Sequence, residues 1–179
     1  MTMLDPVKNL MRRHYLKKNA SDVPTGITPL RDIHSAVAFI DVEDTSFHDC
    51  KNRILQFYRD HKMKGEIFFF DFRKLGEGER LITSITTTVL KKDLNWFDKP
   101  DKEKVSIMLS GEPDLFISMI PGDDFPLEFM AKCCRARFKI GRKQLPGDTF
   151  DMIFTDNPDK PSSQDEVFKK MIQILEKIQ

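Results

Sequence analysis

Apolar positions along the chain alternate between two patterns. Short, nearly continuous apolar runs occur at residues 35–40 (Ser-Ala-Val-Ala-Phe-Ile), 67–70 (Ile-Phe-Phe-Phe) and 114–120 (Asp-Leu-Phe-Ile-Ser-Met-Ile). Such runs suit strands covered on both faces. Between them, apolar residues recur at helical spacing. Phe47, Cys50, Ile54, Phe57 and Tyr58 share one face of a helix over 46–62, with Ser46 and Asp49 as its start signal and Gly65 closing the unit. Phe125, Phe129, Met130 and Cys133 do the same over 125–134. The strand–helix–strand unit at 35–70 is long enough for a parallel crossover. Residues 136–140 and 150–155 read as further strands, and 101–110 as a short helix using Val105, Met108 and Leu109. Residues 81–90 fit either a strand near 86–90 or a helical turn through Leu81, Ile82 and Ile85. Ser163 and Glu166 form a capping box ahead of a final helix striped by Val167, Met171, Ile174, Leu175 and Ile178. The alternation predicts a three-layer, Rossmann-like α/β domain, with a mostly parallel sheet of five or six strands and helices on both faces.

The first 28 residues stand apart. Residues 4–19 read as an amphipathic helix with Val7, Leu10 and Met11 as its stripe, and Pro24, Gly26 and Pro29 punctuate the stretch after it. This divides the chain into a basic helix and linker at 1–28 and a single α/β domain at 29–179. Composition agrees: 40% hydrophobic and 32% charged residues describe a globular chain, and 15 Phe against 2 Tyr and 1 Trp favour interior aromatic packing. The net charge of +1 excludes a global field that would steer the protein to nucleic acid. Basic residues cluster locally, however, at Lys8, Arg12, Arg13, Lys17 and Lys18, and again from Lys132 to Lys143. Three cysteines, two of them adjacent, make a poor disulfide framework and point to reduced thiols. With no apolar leader pattern and no run long enough to cross a bilayer, we expect a cytoplasmic protein.

In open parallel sheets, ligands bind beyond the carboxyl ends of the strands. That rule selects the loops carrying Asp41, Glu43 and Asp44, then Asp71 and Arg73, then Gly122, Asp123 and Asp124. The first loop has carboxylates and no glycine, which disfavours a dinucleotide or phosphate-loop site. The same acids could hold Mg²⁺ if their strands are neighbours, but helix capping and solvation account for them more cheaply, so we expect no metal and no cofactor. His14, His34, His48 and His61 have no ligand spacing. Cys133 has basic neighbours but lies on an apolar stripe, which argues for a structural thiol over a nucleophile. The basic helix suits an anionic membrane surface, nucleic acid, or plain docking on the domain or a protein partner.

Two resemblances attach to particular residues. The segment 91–100 (Lys-Lys-Asp-Leu-Asn-Trp-Phe-Asp-Lys-Pro), with the basic first helix, Phe125-Pro126-Leu127 and Ala136-Arg137-Phe138-Lys139-Ile140-Gly141-Arg142, resembles a family of uncharacterised Bacteroidetes proteins over most of the chain to Phe154. That resemblance implies a shared fold and no activity. Residues 114–118, followed by 136–141, are similar to the end of the acceptor-side half-domain of heptosyltransferase-type glycosyltransferases. That family's glycine-bearing loop is missing here, and the remaining residues cannot hold its nucleotide-sugar domain.

The first expectation is therefore a non-enzymatic binding domain presenting Asn95, Trp96 and Phe97, with Arg12 and Arg13 of the basic helix, to a partner, the other reading of Trp96 and Phe97 being that both rings close the core under a long loop. The alternative is a small enzyme or degenerate glycosyltransferase-like module with Asp41, Asp71 and Asp123 as its acids.

Overall fold

The computed structural model describes residues 5–73, 83–157 and 159–178. The glycine-bearing segment after Arg73 and the start of the ambiguous 81–90 stretch lie outside them. Six strands form one parallel sheet: β1 (Ser35–Asp41), β2 (Lys64–Asp71), β3 (Thr88–Leu90), β4 (Leu115–Ser118), β5 (Phe138–Gly141) and β6 (Met152–Ile153), in the order β3-β2-β1-β4-β5-β6. The helices are α1 (Asp5–Asn19), α2 (Phe47–Asp60), α3 (Lys102–Leu109), α4 (Phe125–Cys133) and α5 (Gln164–Leu175).

Strand residues alternate between two apolar layers, as a period of two requires. Ala36, Ala38 and Ile40 of β1 face the layer of α2 and α5, while Val37 and Phe39 face that of α1, α3 and α4. The chain leaves β1 toward β2 and leaves β4 toward β5 in opposite directions. Crossovers of a single hand then require α2 and α4 on opposite faces, where they lie. The abundant phenylalanine is a cross-strand cluster: the Phe39 ring lies 5.7, 5.4 and 4.9 Å from those of Phe68, Phe70 and Phe116. The amino end of the sheet is tied by Asp114, whose carboxylate accepts from the His34 and Ser35 N–H groups at 2.8 and 3.0 Å and pairs with Arg137.

The 3.6-residue period is legible at both ends of the chain, but the buried side chains differ from the expected stripes. In α1, Met11, Tyr15 and Leu16 pack on the domain, while Val7 and Leu10 are 49% and 67% exposed. Polar anchoring sets this rotation: Lys8 and Arg12 both reach Asp98. In α5, Phe168 is fully buried and Ile174 is exposed. The segment after α1 runs along the domain as an added strap, with the Ser21 N–H on Lys132 O and the Gly26 N–H on Arg137 O, each at 2.9 Å. No helix among the described residues is long and apolar enough to cross a membrane.

Candidate functional site

The strand order makes β1 and β4 neighbours whose outgoing connections diverge, which is where doubly wound proteins bind ligands. On the α2/α5 side this crevice is filled by the chain itself. β4 leaves the sheet after Ser118, so the backbone of Asp41 has no strand partner there. Gln164, wholly buried, supplies one: its Oε1 accepts from the Asp41 N–H and its Nε2 donates to Asp41 O, both at 2.8 Å. The amino ends of α2 and α5 meet beside it. Asp44 accepts from the Ser46 N–H at 2.8 Å and from the Gln164 N–H at 3.3 Å, and the Asp165 N–H donates to Ser46 Oγ at 3.0 Å. Asp165 in turn pairs with Arg53 at 2.5 Å and Lys169 at 2.7 Å. At the amino end of α5 the donors that a bound phosphate would need are thus committed to the protein's own carboxylate and hydroxyl groups. Arg142 closes the neighbouring strand ends, donating to Met119 O and Ser162 O and pairing with Asp156, with its Nε buried and unpartnered.

The three candidate acids have separate environments. Burial pushes the Asp41 carboxyl above the usual range. The Glu43 N–H opposes this, while the charges of Glu43, Asp44 and Asp71 reinforce it. Asp71, 1% exposed, is gripped by both Nε and Nη2 of Arg73 at 2.8 Å, which holds it below that range. Asp123 is exposed and pairs with Lys143 at 2.9 Å, which lowers it too. The charge of Asp71 therefore reaches Asp41, whereas Asp123 stands apart. Among the described residues, no three His, Cys, Asp or Glu side chains gather as a metal site. Burial raises the thiols of Cys50 and Cys133 to about 12 and that of Cys134 to about 11, so none is a nucleophile near neutral pH.

On the opposite side of the sheet a cleft of about 400 Å³ stays open, between Phe72, Lys91, Asp123, Asp124 and the amino end of α4. Arg12 roofs it. Arg12 Nε donates to Phe97 O at 2.9 Å, its Nη2 pairs with Asp98, and the guanidinium lies 4.8 Å from the Phe125 ring centre. Arg12 is thus a latch between α1 and the domain, while Arg13 points its charge to solvent.

Residues 94–100 form a small hairpin, bridged between Leu94 and Pro100. Asn95 organises it: its Oδ1 accepts from the Phe97 and Lys99 N–H groups at 3.1 and 3.0 Å, and its main chain accepts from the Asp98 N–H at 2.9 Å. Asp98 takes the left-handed conformation that closes the turn (φ 65°). The two rings separate. Phe97 is 4% exposed and stacks on Tyr15 of α1 at 5.3 Å, whereas Trp96 is 57% exposed, held edge-on by Phe97 at 5.2 Å. Asn95 and Phe97 build a rigid base, and Trp96 is what it displays. Sequence reasoning missed Gln164, Tyr15 and Asp98. A glutamine in a first helical turn carries no local mark of burial, and the partners of Asp98 lie in a helix remote in sequence.

Searches of curated proteins and of solved structures find no match. A family profile does match, over residues 8–175, so the match takes in nearly all of α1, the hairpin and the whole of α5. The chain belongs to DUF6913, a family of unknown function.

Proposed function

We propose that this chain is a non-enzymatic, cytoplasmic binding domain whose binding face is built by α1 and the hairpin at 94–100. The observation that carries this reading is the division of labour in the hairpin. A large aromatic side chain stands 57% exposed on a base whose neighbouring ring and amide are committed to the fold. A solvated tryptophan on a preorganised loop loses little conformational entropy on binding and contributes much contact area. The acids at the strand ends support this reading in a second way, because two of the three are neutralised by Arg73 and Lys143. The test places a diazirine-bearing amino acid at position 96, and at the exposed Gln173 of α5 as control, in the cell. A discrete adduct from position 96 that position 173 does not give is the expected result. No adduct at 96, or the same adducts from both, overturns the reading.

A second reading rests on the open cleft under Arg12. Its position at the switch point suits a small ligand, and of the three candidate acids of a glycosyltransferase-like module Asp123 alone lines it. A thermal-shift screen with sugar nucleotides and divalent cations tests it, since a ligand at a hundredfold its Kd stabilises the fold by about 2.7 kcal/mol. A flat melting temperature across the screen removes it.

A further inference from the structure

Three lysines, Lys18 of α1, Lys99 of the hairpin and Lys102 of α3, converge on a cleft of about 410 Å³ floored by the rings of Tyr15 and Phe129, and no carboxylate lines it. None of the three makes an ion pair among the described residues, in a protein where Lys8, Lys104, Lys132, Lys143 and Lys169 all do. Lys99 is the informative one. It is half-buried, its Nζ lies 5.6 and 5.4 Å from the Tyr15 and Phe129 ring centres, and it donates once, to Pro100 O at 2.9 Å. An ammonium has three donors, so two have no protein acceptor among the described residues and are open to a ligand. Asn95 lines the cleft, and the exposed Trp96 is its neighbour in the hairpin.

From this juxtaposition we propose that the lysine cleft and Trp96 together bind single-stranded nucleic acid, the phosphates in the cleft and a base on the indole. The proposal rests on the reading of the α1–hairpin face as the binding face and names its partner. Cations in a groove beside an exposed aromatic ring are what a single strand requires. The recess decides against flatter anions. A bilayer surface or a rigid duplex meets Lys18 and Lys102 but does not descend to Lys99, whereas a flexible strand does. The chain's near-neutral net charge of +1 leaves the attraction local to this face.

The test is fluorescence anisotropy of a labelled oligo(dT) of about 15 nucleotides, within the span of known single-strand sites. Saturable binding is expected to weaken about 20-fold between about 50 and about 200 mM salt, as three neutralised phosphates imply. The double variant Lys18→Gln/Lys102→Gln, which breaks no hydrogen bond or ion pair of the fold, should lower the slope of log affinity against log salt by about 1.4. Trp96→Ala should weaken binding about fivefold or more, the least that one lost base stack costs. Lys62→Gln/Lys64→Gln, at exposed sites beside the amino end of β2, should change nothing. No binding at low salt, or binding indifferent to Lys18→Gln/Lys102→Gln, overturns the proposal. So does binding of phosphatidylserine vesicles or pyrophosphate in place of the oligonucleotide. The cross-link at position 96 separates the two levels: a nuclease-resistant adduct refutes nucleic acid and keeps the binding face, and no adduct refutes both.

Discussion

Replacing Gln164 by alanine tests the closed side of the switch point. The amide makes two hydrogen bonds of 2.8 Å to the main chain of Asp41, standing in for the strand that β4 ceases to be after Ser118. Truncation leaves one donor and one acceptor beside an otherwise filled crevice, each costing about 1–3 kcal/mol where water does not replace the amide. We expect Gln164→Ala to lose about 2–4 kcal/mol, which for a chain of this size lowers Tm by about 4–16 °C. Urea unfolding should show a lower midpoint at unchanged slope, since the compactness of neither state changes. Gln164→Glu sharpens the test. It keeps the shape and the acceptor, but turns the donor into an oxygen facing Asp41 O and adds charge next to Asp44. Its buried carboxyl would have a raised pKa in the fold. The deficit should therefore grow as pH rises through that value and shrink on acidification, when the protonated acid can donate. A Gln164→Ala variant within about 0.5 kcal/mol of wild type, the range of ordinary surface substitutions, would refute the account of the crevice as sealed by this side chain.

The hairpin makes a paired prediction: Phe97→Ala should cost about 3–5 kcal/mol and loosen α1, whereas Trp96→Ala should stay within about 0.5 kcal/mol, both by chemical denaturation. Acrylamide should quench the fluorescence of Trp96, the chain's single tryptophan, efficiently, and a blue, protected emission would contradict its exposure. All three thiols, buried and raised to about 11 or 12, should resist a disulfide reagent at neutral pH and react together on unfolding; a fast-reacting thiol in the native protein would contradict their burial. Burial alone would raise Asp114, but the His34 N–H, Arg137 and Ser35 outweigh it and hold its carboxyl below the usual range. Its stabilising contribution is therefore present above the ordinary carboxylate pKa and lost as pH falls through the lowered value. Asp114→Asn should flatten the acid limb of the stability profile, while Asp41, shifted upward, contributes with the opposite sign.

Much of the architecture was written in local pattern. Uninterrupted apolar runs at Val37, Phe68 and Phe116 can be stable only when both faces are covered, and helical spacing between them leaves a parallel sheet as the economical arrangement. The capping box at Ser163 and Glu166 is equally local, and the structure contains it. What tertiary structure decided were relations between remote segments. Nothing in the neighbourhood of Gln164 says that its amide will complete β1, because that role exists only once β4 has turned away. Nothing near Val7 or Leu10 says they will face water, because the rotation of α1 is set by Asp98, far along the chain. Trp96 and Phe97 look alike as neighbours in sequence, and only the docking of Tyr15 buries one and leaves the other exposed. Periodicity reports which face of an element is apolar. It carries no information on which remote polar group will orient that face, and here such groups decide both what seals the switch point and what the hairpin exposes.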